Sequence, residues 1–414
     1  VDVYVKYLNQ VIFAGRSSAP SGASTGSGEA RELRDVSSPR YLGKGTATAA
    51  ANVTTRLSPA LTGLKLCCIK ALDAKIQEVD GTPLKENIGG NATTATSFAL
   101  AEAGAALQHI QLFQYFAKNY FGCGNVPAKF KLPSPFFNIL NGGKHAGGNL
   151  KFQEFMVTPT RSLPYPDQLR FIAEVYQKLG GLLVKKYGVS AKNLGDEGGF
   201  APPLNTPEEA LVVIEEAIAA AGYTPGAQIG IALDAAASEF YIEDRQVYEV
   251  EVGVFKTGDE MVDYYEALIT KHPAIVSIED GLDEKDYPHW IKLNERIGGR
   301  IQLVGDDLYT TNPATIRQGL AGKWCNALLL KVNQIGTITE AMEAAKLILD
   351  AGQKVMVSHR SGETCNTVIA DLAVAIGAQA IKTGSTARGE RIQKYTRLLQ
   401  IYEYLVENDL LAPE

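Results

Sequence analysis

The sequence predicts a two-domain α/β protein whose larger part is a parallel α/β barrel, and three observations carry that expectation. At 414 residues the chain exceeds what one ordinary hydrophobic core supports. Between Gln228 and Ser385, short apolar runs keep ending on a charged or reactive residue: 229–234 on Asp234, 274–279 on Glu279, 301–306 on Asp306, 327–331 on Lys331, 354–359 on His359 and 378–382 on Lys382. The last five recur about every 25 residues, the length of one strand plus one returning helix. A strand covered on both faces reads as an unbroken apolar run, and only its carboxyl end opens into a pocket. These six side chains are therefore expected to converge on one mouth.

In chain order, residues 1–14 alternate like a strand pair turning at Asn9-Gln10. With no initiator Met and a start in mid-alternation, the chain reads as truncated. Residues 15–28 are rich in Gly, Ser and Ala, which suits either a flexible linker or a mobile loop over phosphate or metal. From Gly45 to about Phe121 the pattern is helical, and the punctuation 122–127 marks a domain boundary, giving domains 1–126 and 127–414. Gly43-Lys44-Gly45 lacks a preceding strand and a third glycine, so it is no dinucleotide loop. The strand 135–140 runs into a second glycine-flanked loop that carries His145. Glu154 and Glu197 follow near loops of the same half-barrel, where they are either turn residues or an acid pair. Thr206-Pro207-Glu208-Glu209 starts a helix whose buried stripe is Leu211, Ile214 and Ile218 and whose end is Gly222. Asn312-Pro313 and Thr337–Glu340 repeat that grammar.

Bulk properties exclude several classes. A net charge of -6 and no Lys/Arg run long enough to track a phosphate backbone argue against nucleic acid. No apolar run approaches membrane length, and the first residues are not a signal peptide, so a cytosolic location is expected. Five cysteines without metal-site spacing read as buried or idle thiols.

Asp234, Glu279 and Asp306 each end a strand. Any one of them alone is as well explained as a cap on the next helix. Three on consecutive strands would repel one another without a cation, and an all-oxygen set prefers Mg²⁺ or Mn²⁺ to zinc. Lys331 and Lys382 stand beyond them, either satisfied by the acids and metal or with one held neutral as a base. His359-Arg360-Ser361 supplies donors suited to a phosphate. Together these parts describe removal of a proton next to a carboxylate, with a metal holding the enolate charge.

The motifs Ser21–Gly26, Tyr41–Gly45, Asn141-Gly142-Gly143, His145–Gly148, Gly195–Gly199, Ser277–Asp280, Leu328–Gly336, Val357–Thr364 and Ile381–Gly384 make the sequence resemble enolase (phosphopyruvate hydratase) along nearly its whole length. The resemblance implies a smaller α+β domain ahead of a TIM-like α/β barrel whose first strands depart from the simple repeat. It also implies Mg²⁺-dependent, reversible dehydration of 2-phosphoglycerate to phosphoenolpyruvate in glycolysis and gluconeogenesis. In that reading Lys331 is the base at C2, and Glu197, supported by Glu154, helps the C3 hydroxyl leave. Asp234, Glu279 and Asp306 hold the first Mg²⁺, with Lys382 adding positive charge. Arg360 and Ser361 bind the phosphate with His359 close to the leaving group, His145 rides a lid, and Ser24 joins a second, substrate-dependent Mg²⁺. The partner implied is a small phosphorylated carboxylate, and the assembly a homodimer or higher homo-oligomer. An Arg-Gly-Asn-Pro-Thr run that precedes the first strand in that family, in a region its dimers use, is absent from this sequence. The alternative is a non-catalytic structural or surface-binding protein on the same scaffold, which should have lost site residues. All are present.

Overall fold

The computed structural model describes residues 1–413 except Leu8, Ser24 and Thr25, so the Ser24 expectation lies outside the described residues. The alternation at the start becomes an antiparallel hairpin of β1 (Asp2–Tyr7) and β2 (Gln10–Arg16), with an irregularity between Val3 and Tyr4. The helical text that follows contains α1 (Ala47–Asn52), α2 (Ser58–Leu61), α3 (Ile69–Asp80), α4 (Gly90–Leu107) and α5 (Leu112–Phe121). Helix α4 is buried along most of its length, and its alanines let other backbone approach. At Gly15 a Cβ would stand 2.7 Å from the Ala99 carbonyl oxygen, so glycine is required there by contact rather than by turn geometry.

The remaining chain closes a barrel. Its elements are β3 (Ser134–Asn141), α6 (Gly143–Ala146), β4 (Glu154–Pro159), α7 (Tyr165–Tyr187), α8 (Pro207–Ala220), β5 (Ile229–Asp234), β6 (Tyr241–Ile242), β7 (Val247–Glu251), β8 (Val254–Lys256) and α9 (Gly258–Lys271). They continue through β9 (Ile275–Glu279), α10 (Tyr287–Ile297), β10 (Gln302–Gly305), α11 (Pro313–Gly322), β11 (Ala327–Leu330), α12 (Val332–Ile335), α13 (Ile338–Asp350), β12 (Lys354–Ser358), α14 (Val368–Ile376), β13 (Ala380–Lys382) and α15 (Gly389–Glu407). Around the closed sheet the order is β10, β11, β12, β13, β3, β4, β5, β9. Strand β4 is antiparallel to both neighbours, which is the departure from a simple repeat that the resemblance implied. Strands β6, β7 and β8 form a separate antiparallel sheet inserted after β5, which the periodicity did not disclose.

Helix starts follow the capping chemistry. The Thr206 hydroxyl accepts from the Glu209 amide and the Glu209 side chain returns the bond, while Leu211, Ile214 and Ile218 are buried and Gly222 lies at φ +88. Asn312 caps α11 by accepting the Ala314 amide, and Thr337 caps α13 by accepting the Glu340 amide.

Inside the barrel, Phe136, Met156, Ala232, Val304, Ala327, Leu329, Met356 and Ala380 pack into one apolar cluster. Side chains two positions apart on a strand share a face. Moving two residues towards the open rim from that cluster reaches Asn138, Glu154, Asp234, Asp306, Lys331, Ser358 and Lys382. Because β4 runs backwards, its rim residue comes at its first position, Glu154, rather than its last. Polar side chains over an apolar plug make a pocket floor. Among the described residues, no helix is long and apolar enough to cross a membrane. Of the five cysteines, which were expected to be buried or idle, only Cys325 is buried. Cys67, Cys68, Cys123 and Cys365 lie at the surface, and all five are unpaired thiols.

Candidate active site

Strand register brings the acids together. Asp234 and Glu279 are direct partners across β5 and β9, and Asp306 lies two residues beyond Val304, the β10 partner of Glu279. All three are buried, at 3%, 1% and 8% exposure. The Lys382 ammonium lies 2.8 Å from Glu279 Oε1, 3.3 Å from Glu154 Oε2 and 3.6 Å from Asp234 Oδ2. Burial alone would favour a neutral amine. Glu154, Glu279 and Asp234 override it and hold the Lys382 pKa well above the ordinary lysine range. Lys331 Nζ sits 2.5 Å from Asp306 Oδ2, and Asp306 again outweighs burial to keep the ammonium charged.

A second grouping shares Asp306. Carboxylate oxygens of Asp280, Asp306 and Asp307 lie within 4.8 Å of one another. Asp280 sits at φ +41, a left-handed conformation that Asp tolerates, and its carboxylate accepts the Asp306 and Asp307 amides at 2.9 and 2.8 Å. It thereby ties the end of β9 to the end of β10. Burial, then Asp307 and Asp306, push the Asp280 carboxyl well up.

Among the described residues, the groups whose ligand atoms all lie within 4.8 Å of one another are Asp280, Asp306 and Asp307 and His145, Glu154 and Glu197. Asp234, Glu279 and Asp306 do not appear together in such a group, but Glu279 keeps an oxygen free for a cation. Glu279 Oε2 is buried without a hydrogen-bond partner, and burial followed by the Asp234 charge raises the Glu279 pKa well above the carboxylate range. An orphaned, strained carboxylate among other oxygens suits Mg²⁺ better than a structural ion pair does.

Across the mouth, His145 Nδ1 lies 3.6 Å from Glu154 Oε1 and 3.7 Å from Glu197 Oε1, so the loop histidine is buried between two acids. The two carboxyls differ in state. Burial and the Glu197 charge push Glu154 well up. Burial would raise Glu197 too, but His359 and His145 beside it hold it well below the usual range. Glu197 Oε2 also accepts from Asn138 Nδ2 at 3.0 Å and lies 3.2 Å from His359 Nε2. The two carboxyls are thus pushed in opposite directions, Glu154 up and Glu197 down.

Arg360 is 3% exposed and grips Glu29 through both terminal nitrogens, at 2.8 and 3.1 Å. Glu29 Oε1 also accepts the Gly26 amide at 3.1 Å, so the first glycine-rich loop is anchored to the barrel rim. The Ser361 hydroxyl accepts the Ala23 amide at 2.6 Å, and Ser21 pairs with Gly362 through the backbone. The stretch that reads as a linker or a mobile loop is thus pinned to the rim at Ser21, Ala23 and Gly26, although Arg16, Ser18, Ala23 and Ser27 remain exposed. Gln334 Nε2 donates to Asp306 Oδ1 at 2.8 Å and reaches Glu29 Oε1 at 3.4 Å. The structure brings His145, Glu154, Glu197, Asp234, Lys331, His359, Arg360, Ser361 and Lys382 to one small enclosed cavity, with Glu279 and Asp306 joined through the two lysines.

Sequence reasoning did not single out Glu29, Asn138, Gln334 or Arg391. Asn138 carries a signal, two residues from Phe136 on an apolar strand. The other three act across 28 residues or more, where no local pattern marks them.

Comparison with known proteins agrees with this architecture. Residues 1–116 match the family model described as "Enolase, N-terminal domain" and residues 129–413 match "Enolase, C-terminal TIM barrel domain". A protein named Enolase from Methanopyrus kandleri is 48% identical over 406 residues, covering 96% of this chain and 92% of its own. One of the same name from Rubrobacter xylanophilus is 48% identical over 403 residues, covering 97% and 91%. Two family models that span most of the chain, and relatives alike along nearly all of it, agree with a rim where acids, amines and a guanidinium meet: the chain belongs to the enolase family and is a lyase.

Proposed function

We propose that this chain catalyses the reversible, Mg²⁺-dependent dehydration of 2-phosphoglycerate to phosphoenolpyruvate, residues 1–126 capping a catalytic barrel of 127–414. The observation that carries the reading is the opposition of a buried and a half-buried amine, Lys382 and Lys331, to buried acids on one rim, beside the close carboxyl pair Glu154 and Glu197. Asp234, Glu279 and Asp306 would hold the cation, which supplies charge neutralisation for an enolate when bound. With Asp306 committed there, burial becomes the dominant influence on Lys331 and favours the neutral form that accepts the proton at C2. Lys382, charged and anchored on Glu279, adds fixed positive potential where the substrate carboxylate gains charge. Glu197, supported by Glu154 and with His145 beside both, helps the C3 hydroxyl leave as water. Arg360 and Ser361 present donors to the phosphate, and the loop anchored by Glu29 excludes water. A second Mg²⁺ through Ser24 and assembly as a cytoplasmic homodimer or higher homo-oligomer rest on the family resemblance.

The test is turnover of 2-phosphoglycerate with Mg²⁺, followed by ultraviolet absorbance of phosphoenolpyruvate. Lys331→Ala should lower kcat by about 10³-fold or more with the fold retained by circular dichroism. Full activity in that variant removes Lys331 as the base, and an inactive parent favours the non-catalytic scaffold.

A further inference from the structure

We propose that Arg391, in the first turn of α15, is a positioning residue of this site: it fixes His359 as the Nε2–H tautomer aimed at Glu197, and the same guanidinium ties the loop bearing Glu197 to the loop bearing Arg360 and Ser361.

The geometry is specific. Arg391 is 1% exposed. Its Nη1 lies 2.6 Å from His359 Nδ1 and 2.6 Å from the Arg360 carbonyl oxygen. Its Nη2 donates to the carbonyls of Asp196, at 3.0 Å, and Ser361, at 2.5 Å. Arginine has only donors, so His359 Nδ1 must be the acceptor and carry no proton. The single proton of the neutral ring is then on Nε2, 3.2 Å from Glu197 Oε2. The other tautomer would set N–H against N–H at the arginine and turn a lone pair towards the Glu197 carboxylate. An imidazolium would meet the same clash at Nδ1. Burial, the largest influence, takes His359 down to about 3, in keeping with a neutral ring.

The surroundings are shaped around this side chain. Gly384 lies at φ +86, and a Cβ there would stand 2.7 Å from both Arg391 Cδ and the Glu197 carbonyl oxygen. The Ser385 amide donates to that same carbonyl at 2.9 Å, and Arg388 Nε donates to the Gly195 carbonyl at 3.1 Å. The chain entering α15 therefore grips residues 195–197 from outside while Arg391 reaches inward. Arg391 meets carbonyl dipoles and an imidazole, with Glu390 Oε1 at 3.5 Å as its ion partner. Burying a cation mainly among neutral acceptors is costly for a simple staple, but it suits a donor that must face a ring nitrogen. A lysine has one nitrogen and cannot span acceptors on both loops.

The consequence is directional. Arg391 donates to His359 and His359 donates to Glu197, so the orientation of the Glu197 carboxyl is passed down from the guanidinium. The kinetic part of this inference rests on the proposed dehydration, but the tautomer does not.

The experiment is nitrogen NMR on the full chain labelled at histidine, with the His359 ring assigned by its loss in His359→Gln. The expected wild-type spectrum shows Nδ1 unprotonated and Nε2 protonated, and Arg391→Gln and Arg391→Lys show mixed tautomers. Those variants should lose kcat by about 10- to 100-fold, as partners behind a reacting group commonly do, with KM for 2-phosphoglycerate little changed. A wild-type proton on Nδ1 overturns the inference. So does an Arg391→Gln spectrum that keeps the wild-type tautomer, which would mark the residue as a loop staple only. If Arg391→Gln does not fold, the wild-type and Arg391→Lys spectra decide. A wild-type chain with the expected tautomer but no turnover would refute the dehydratase reading and leave the positioning geometry standing.

Discussion

Glu29→Gln removes one charge and almost no volume from the contact between the first loop and the barrel rim. Both oxygens of Glu29 are engaged by Arg360, and the two side chains are 6% and 3% exposed. Removing one partner of such a buried pair costs about 3–5 kcal/mol, because the other charge is left uncompensated. Here Asp306 and Asp307 also support the Arg360 charge, and glutamine keeps one acceptor, so the lower end applies, about 3 kcal/mol. At roughly 2.1 cal/mol/K of unfolding entropy per residue, 414 residues give ~0.9 kcal/mol/K, and Tm should fall by about 3 °C. If half of the loss falls on the orientation of Arg360, KM for the phosphorylated substrate rises about tenfold, the equivalent of 1.4 kcal/mol. Equilibrium urea unfolding and steady-state kinetics on the same preparation read both quantities. A variant with the parent's urea midpoint and KM would refute the claim that this pair couples loop and rim.

Two further outcomes are expected. Asp73 is fully buried on α3, its Oδ2 accepts both the amide and the hydroxyl of Thr339, and burial pushes its pKa up to about 6. A carboxyl whose folded pKa lies above its unfolded value stabilises the fold at low pH and loses that contribution as pH rises from about 4 through 6. Asp73→Asn should therefore match the parent near pH 4 and exceed it at pH 8 by about 3 kcal/mol in urea unfolding, and a pH-independent difference would show that the carboxyl is not strained. Magnesium at about 100 times its Kd should add about 2.7 kcal/mol to the unfolding free energy, reversed by chelator and absent in Glu279→Gln; indifference of the parent would mean that these acids do not hold the ion.

The barrel was readable because burial on two faces leaves a strong mark in sequence. Runs such as Ala327–Leu330 have no polar residue until the rim, and the first one after the run, Lys331, is the one that reaches the site. Helix starts were readable for the same local reason, since a Thr cap, a Pro and a Glu act within four residues of one another. The sheet of β6, β7 and β8 escaped because its strands are short, and only Tyr248 and Val250 of β7 are buried there. The reversal of β4 left no mark either. The string Glu154–Pro159 reads alike in both directions, and only its pairing with β3 and β5 shows that Glu154 stands at the rim.

Charge pattern alone also could not pair the charges. That Lys382 would stand on Glu279 and Glu154 while Lys331 stood on Asp306 depends on which strands are neighbours in the closed ring. Glu29 meets Arg360 across 331 positions and Arg391 meets His359 across 32, contacts made by loops and a helix folding over the rim rather than by any repeat.

By itself the sequence determined the apolar runs, the residues that end them and the residues that start helices, because those follow from burial and from hydrogen bonds between near neighbours. The tertiary structure alone decided which acid faces which amine, which carboxyls stand side by side and which ring nitrogen of His359 faces Arg391. Such states are set by fields and contacts within a few ångströms of each group, and distance along the chain says nothing about them.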